Sequence, residues 1–180
     1  MKVGKKVGVL SRIGNKLNLQ QKIMVYKSIV EPHFIYCTSI LFLSYESDLS
    51  RLQILQNKCL RNILRMDKFT NMYQLLEITN FLSVKQSIIM YTLINIFKMI
   101  NNIWPSNLSS KIKFKHHNER KRTLRCKNDL ERKDAKKTCS QNSIFFKGIE
   151  LYNKLPDDIK SYNCIFQFKK KIKEYVRKNF

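Results

Sequence analysis

Four glycines and three prolines in 180 residues leave few obligatory turns, and apolar residues recurring at helical spacing then argue for an all-helical body. Acidic residues are scarcer still in proportion: 13 stand against 35 lysines and arginines, for a net charge of +22. Such a field attracts polyanions and opposes compaction, which puts nucleic acid first among partner classes and anionic membrane second. The five cysteines, Cys37, Cys59, Cys126, Cys139 and Cys164, are scattered singly. An odd number without framework spacing predicts no disulfides and a reducing compartment. No CxxC pair or close histidine spacing supports a zinc site. A glycine-rich phosphate loop and a recognisable nucleophile motif are both lacking. The uncharged runs 32–45 and 86–97 have 14 and 12 residues and no uncharged run is longer than the first, short of the ~20 that span a bilayer. Ser11, Arg12, Gly14 and Asn15 break the apolar run after Lys6, so no signal peptide is expected. The chain reads as soluble and intracellular, nuclear or cytoplasmic.

A hydrophobic fraction of 43% over 180 residues suffices for a sizeable core. Lysine outnumbers arginine 26 to 9, as codon drift in an AT-rich genome would also produce, but drift does not account for so few acids. The excess is uneven. Residues 1–68, 69–110, 111–146 and 147–180 carry net charges of +8, +1, +8 and +5. Composition and periodicity divide the chain into a helical bundle at 1–105, a basic flexible arm at 106–142 and a small helical unit at 143–180.

The apolar spacing predicts helices at 3–16, 18–44 with an interruption or kink at Pro32, 47–66, 70–79, 83–102, 143–154 and 164–178. Thr70 and Ser83 stand where N-caps belong, and Asn102 with Pro105 supplies the stop after the fifth segment. Between Ser106 and Asn142 the pattern dissolves into polar, charged sequence nearly free of large apolar residues after Phe114. Nothing there offsets the entropy of ordering, so the stretch reads as a flexible arm or an irregular loop.

In "SDLSRLQILQNKCLRNILRM", Leu49, Leu52, Leu55, Cys59, Leu60, Ile63 and Met66 share one helix side. Arg51, Lys58 and Arg65 recur every seven residues on the other, with Arg61 beside them and Ile54 breaking the face. A basic stripe can follow a nucleic-acid backbone, because phosphates lie along a line and each neutralised one releases counterions. A merely solvated face is the other reading. The last helix repeats the theme: Ile165, Phe168, Ile172, Tyr175 and Val176 form an apolar side, and lysines fill the gaps. The pair Asp157-Asp158 invites comparison with a two-metal site, but after Pro156 it reads as a helix start, where acids complement the dipole. His33 and Cys37, four apart, read as core filling. His116, His117, Cys126 and Cys139 read as solvent-facing.

Four stretches together resemble, in order and spacing, the C-terminal portion of reverse transcriptases from jockey-like non-LTR retrotransposons. They are "LNLQQKIMVYKSIVEPHFIYCTSILF", "LSRLQILQNKCLRNIL", "LLEITNFLSVKQSIIMYTLINIFKMINN" and "SIFFKGIELYNKLPDDIKSYNCIFQFKKKIKEYV". The most distinctive element is a glycine, an aromatic-Asn pair and Leu-Pro, matched by Gly148, Tyr152-Asn153 and Leu155-Pro156. A second anchor runs through Tyr26 to Ile29 and Pro32 to Tyr36. The family often has Trp where Tyr152 stands, and often another soon after the tyrosine matched by Tyr36, where this chain has Phe42 and Leu43. In that family these segments follow the palm and form the thumb and a C-terminal extension, so the catalytic Asp-Asp box would lie before Met1.

The resemblance implies an irregular thumb-like helical bundle without polymerase activity of its own: no catalytic residue, no metal and no cofactor. Its expected partners are RNA or DNA, held non-specifically by the backbone, and the palm of such an enzyme. The expected nucleic-acid-binding residues are Arg51, Lys58, Arg61 and Arg65 on the thumb helix, Lys121, Arg122 and Arg125 in the arm, and Lys169, Lys170 and Lys173 on the last helix. The arm is equally readable as a solvated linker or nuclear-import signal. A rival reading takes the chain as a basic amphipathic module that docks the aromatic face of its last helix into a membrane surface or partner.

Overall fold

Amphipathic spacing of period 3.6 produces helices throughout, and the computed structural model of the chain, which describes residues 2–115, 129–132, 137–141 and 143–180, is all-α. Among the described residues the one departure is an isolated antiparallel bridge between Phe114 and Leu130. None of the described helices is long and apolar enough to cross a membrane. The chain forms two compact units, Met1–Ile88 and Ile89–Phe180. This division differs from the boundaries at 105 and 142 expected from composition, because residues after Ile89 share a hydrophobic core with the C-terminal helices.

The first unit contains α1 (Lys2–Ile13), α2 (Leu19–Val25), α3 (Glu31–Ile35), α4 (Thr38–Leu41), α5 (Glu46–Leu64), α6 (Met72–Thr79) and the start of α7 (Val84–Ile100). A capping box opens α2, in which the Asn18 side chain accepts from Gln21 N–H at 2.9 Å and Gln21 answers at 3.0 Å. The break expected at Pro32 takes the form of a π turn at Tyr26–Val30, where Glu31 N–H reaches back to the Tyr26 carbonyl. Proline has no N–H to donate, so the widened turn absorbs the defect in the ladder. The run ends at Cys37, whose φ of 54° is left-handed. His33 and Cys37 are both exposed, contrary to the expectation of core filling; Phe34 between them is the buried residue. Asn71, not Thr70, caps α6, its side chain accepting from Tyr73 N–H at 3.1 Å. Ser83 caps α7 as expected, paired reciprocally with Gln86.

Tyr26, Val30, Phe34, Leu60, Ile63, Leu75 and Phe81 fill this unit's core. Within it the buried Gln56 amide donates to the Tyr26 hydroxyl at 3.1 Å and to the Leu82 carbonyl at 2.9 Å. Gln53, one turn earlier, accepts from Val84 N–H at 2.8 Å. Two glutamines of α5 thereby fix the entry to α7 and leave few buried polar groups without a partner.

The second unit comprises the remainder of α7, α8 (Ser106–Ser109), α9 (Thr138–Gln141), a π turn at Ile144–Gly148 running into α10 (Ile149–Asn153), α11 (Asp157–Lys160) and α12 (Ile165–Asn179). Asp157 and Asp158 form the first turn of α11 behind Pro156, as a helix-start reading requires. Phe168, Ile172 and Val176 of α12 are fully buried with Tyr152 and Leu155, and Phe168 stacks on Phe97 at 4.2 Å between centroids. The apolar face of the last helix is therefore consumed inside its own unit.

Gly148 sits at a close crossing. A Cβ there would lie 3.1 Å from both Ile144 and Ile96 and 3.3 Å from Thr92. Alanine gains ~0.5–1 kcal/mol of helix propensity, but overpacking costs ~1–3 kcal/mol. We expect Gly148→Ala to lose about 1 kcal/mol net in urea unfolding of this unit. Gly8→Ala, where nothing lies within 4 Å, gains stability instead.

Parts of the expected arm are ordered. Leu130 is fully buried in the second core, and the Asn153 side chain clamps its backbone, accepting from Leu130 N–H at 2.8 Å and donating to its carbonyl at 3.0 Å. One leucine and one amide supply here what average composition hides. Asp129, also buried, accepts from the Lys160 ammonium at 2.9 Å.

Candidate nucleic-acid interface

Burial of Cys59, Leu60 and Ile63 fixes the rotation of α5, so its opposite side faces outward. Arg51, Lys58 and Arg65 are exposed on that side. Arg51 also approaches Asp48 at 3.8 Å, a surface pair whose worth is ~0–1 kcal/mol and which yields readily to a phosphate. Arg65 ends the helix in a left-handed conformation, φ 54°. Ile54, exposed between these cations, interrupts the stripe as expected.

Arg61 does not belong with them. It is half-buried, and its guanidinium donates to the Thr70 carbonyl at 2.9 Å, holding the turn between α5 and α6. Its Nε is buried without a partner among the described residues. Arg61 is a structural residue here, which corrects its assignment to the phosphate-facing set.

Lys22 was missed by sequence reasoning. Its side chain lies on the inward face of α2 and is 3% exposed. Burial, and then the Arg65 charge, pull its ammonium below the usual lysine range. The signal was present: Lys22 is one turn before Tyr26 and beside Ile23, on the apolar side of α2, where a lysine buries its stem.

On α12, Lys169 and Lys170 are exposed. Lys171 pairs with Glu174 at 3.2 Å, and Lys173 is half-buried and engaged in a further interaction. Lys121, Arg122 and Arg125 lie outside the described residues, as do His116, His117 and Cys126. Elsewhere in the unit Glu150 pairs with Lys154 at 2.8 Å and Arg132 at 3.7 Å. Lys154 first, then Arg132 and Lys147, hold Glu150 below the ordinary carboxylate range.

The exposed cations spaced along one side of α5 can neutralise phosphates along a line. Cys59 offers no nucleophile, since burial pushes its thiol up to about 12. The free thiols Cys37 and Cys164 are exposed. Compared with known protein families, curated proteins and solved structures, the chain matches none.

Proposed function

We propose that this chain corresponds to the thumb and post-thumb region of a retrotransposon reverse transcriptase, and that it binds nucleic acid by neutralising backbone phosphates without itself catalysing polymerisation. One observation carries the reading: α5 and α12 bury apolar sides in their own cores, and their exposed surfaces carry Arg51, Lys58 and Arg65 on one and Lys169 and Lys170 on the other. Those five cations belong to a chain of net charge +22, for which a polyanion is the natural partner. The residues on which the resemblance rests have physical roles here: Gly148 at a close crossing, Tyr152 and Leu155 in the core, and Asn153 clamping Leu130.

The rival membrane-docking reading needs the apolar face of α12, and Phe168, Ile172 and Val176 are fully buried. Undocking the helix to reach lipid would expose all three.

Fluorescence anisotropy with an RNA–DNA hybrid at low salt tests the proposal. The variant Arg51→Glu, Lys58→Glu, Arg65→Glu is expected to bind at least ~10-fold more weakly, since the loss of several phosphate contacts is worth more than one decade. Equal affinity of the two proteins would mean that the stripe on α5 is only a solvated face.

A further inference from the structure

In the second unit a cleft of about 370 Å³ is lined by four aromatic residues, Phe97, Phe114, Tyr152 and Tyr162, and by the amides of Asn101 and Asn163. This lies within the ~300–1,000 Å³ of ordinary small-ligand sites. Phe97 and Tyr152 are buried, whereas Phe114 is 48% exposed and Tyr162 half-buried. Lys160 also lines the cleft. Its ammonium is already satisfied by Asp129 and by the Asn153 carbonyl, both at 2.9 Å. The cleft therefore offers rings and amides rather than free positive charge, which suits a flat, neutral, hydrogen-bonding group better than a phosphate.

Three polar groups await such a partner. Asn101 donates to the Phe97 carbonyl at 2.9 Å, leaving its side-chain oxygen as an acceptor. Asn163 is exposed at the cleft. Tyr152 also lines the cleft, and burial pushes its hydroxyl up to about 12.

We propose that this cleft takes one unpaired nucleobase of a single-stranded nucleic acid, stacked against Phe114 and Tyr162 with its polar edge toward Asn101, Asn163 and Tyr152. The inference rests on the reading of the chain as a phosphate binder and adds to it a base-holding site. A nucleobase fits better than an aromatic side chain of a protein, because a base brings donors and acceptors on its edge and arrives on a polyanion drawn by the +22 charge.

The test compares a fluorescent thymidine octamer with an abasic octamer of equal phosphate count, titrated with the full chain and with the variants Tyr162→Ala and Phe114→Ala. The wild type is expected to hold the thymidine octamer ~10-fold more tightly than the abasic one. In both variants the two octamers should bind alike, at the abasic level. Should Tyr162→Ala fail to fold, Phe114→Ala carries the test, since its ring is half exposed. If the wild type binds both octamers equally, the cleft holds no base while the backbone reading stands, and an aromatic side chain of a partner protein becomes its candidate occupant. A preference that survives in the folded variants places the base elsewhere and overturns the assignment. If neither octamer binds, the phosphate-binding reading and this inference fall together.

Discussion

Replacing Phe168 with alanine removes a fully buried ring stacked 4.2 Å from Phe97, and should destabilise the second unit by ~3–5 kcal/mol. That is a large share of the ~5–15 kcal/mol by which domains are stable. The single tryptophan of the chain, Trp104, lies in this unit and reports its unfolding by fluorescence. The Trp104 transition of Phe168→Ala is thus expected at much lower urea than in the wild type. Phe166, two residues away on the same helix, is 82% exposed; its alanine variant should stay within ~0.5 kcal/mol of wild type. Equal effects of the two substitutions would mean that α12 is not docked through Phe168.

Asp129→Ala is expected to cost ~3–5 kcal/mol, because it leaves the Lys160 ammonium buried without its carboxylate. The Lys160 side chain is 3% exposed and its next carboxylate, Asp157, is 3.8 Å away. The double variant Asp129→Leu, Lys160→Met should recover most of the loss, since a well-packed apolar pair often replaces a buried ion pair at little cost. A double variant as unstable as Asp129→Ala would show that the pair is not the source of the effect. The pH dependence has a definite sign. Burial raises the Asp129 carboxyl, but hydrogen bonds and charge from Lys160 and then Lys115 outweigh it and hold the group below its ordinary 3.8. A carboxyl depressed in the folded state contributes stability above its unfolded value and loses it as pH falls through the folded one. The stability gap between the wild type and Asp129→Asn should therefore be full above about pH 5 and shrink progressively as pH falls through the carboxyl's lowered folded value.

Helix positions were legible wherever one apolar face is buried. The expected segments at 47–66, 83–102 and 164–178 correspond to α5, α7 and α12 at Glu46–Leu64, Val84–Ile100 and Ile165–Asn179. The break at Pro32 was legible as a missing donor, but its form as a π turn depends on tertiary context. The step at 105 was misplaced because α7 carries apolar residues around most of its circumference; those before and after Ile88 serve different cores. Leu130 escaped notice because one apolar residue among charges has no periodicity. Its burial in the second core, with its backbone held by the Asn153 clamp and the Phe114 bridge, shows only in the fold.

Arg51, Lys58 and Arg65 are outward, and Arg61 was misassigned because a guanidinium beside a stripe is indistinguishable in sequence from one that turns back to a carbonyl. Lysine at position 22 was the converse error of omission.

The most direct test of phosphate binding is the salt dependence of hybrid affinity, measured for the wild type and for the Arg51→Glu, Lys58→Glu, Arg65→Glu variant. Three phosphate contacts from α5 should make the log-log slope steeper by about 3 in the wild type than in the variant, at ~0.9 per contact. Identical slopes would contradict the account, since α5 would then touch no phosphate.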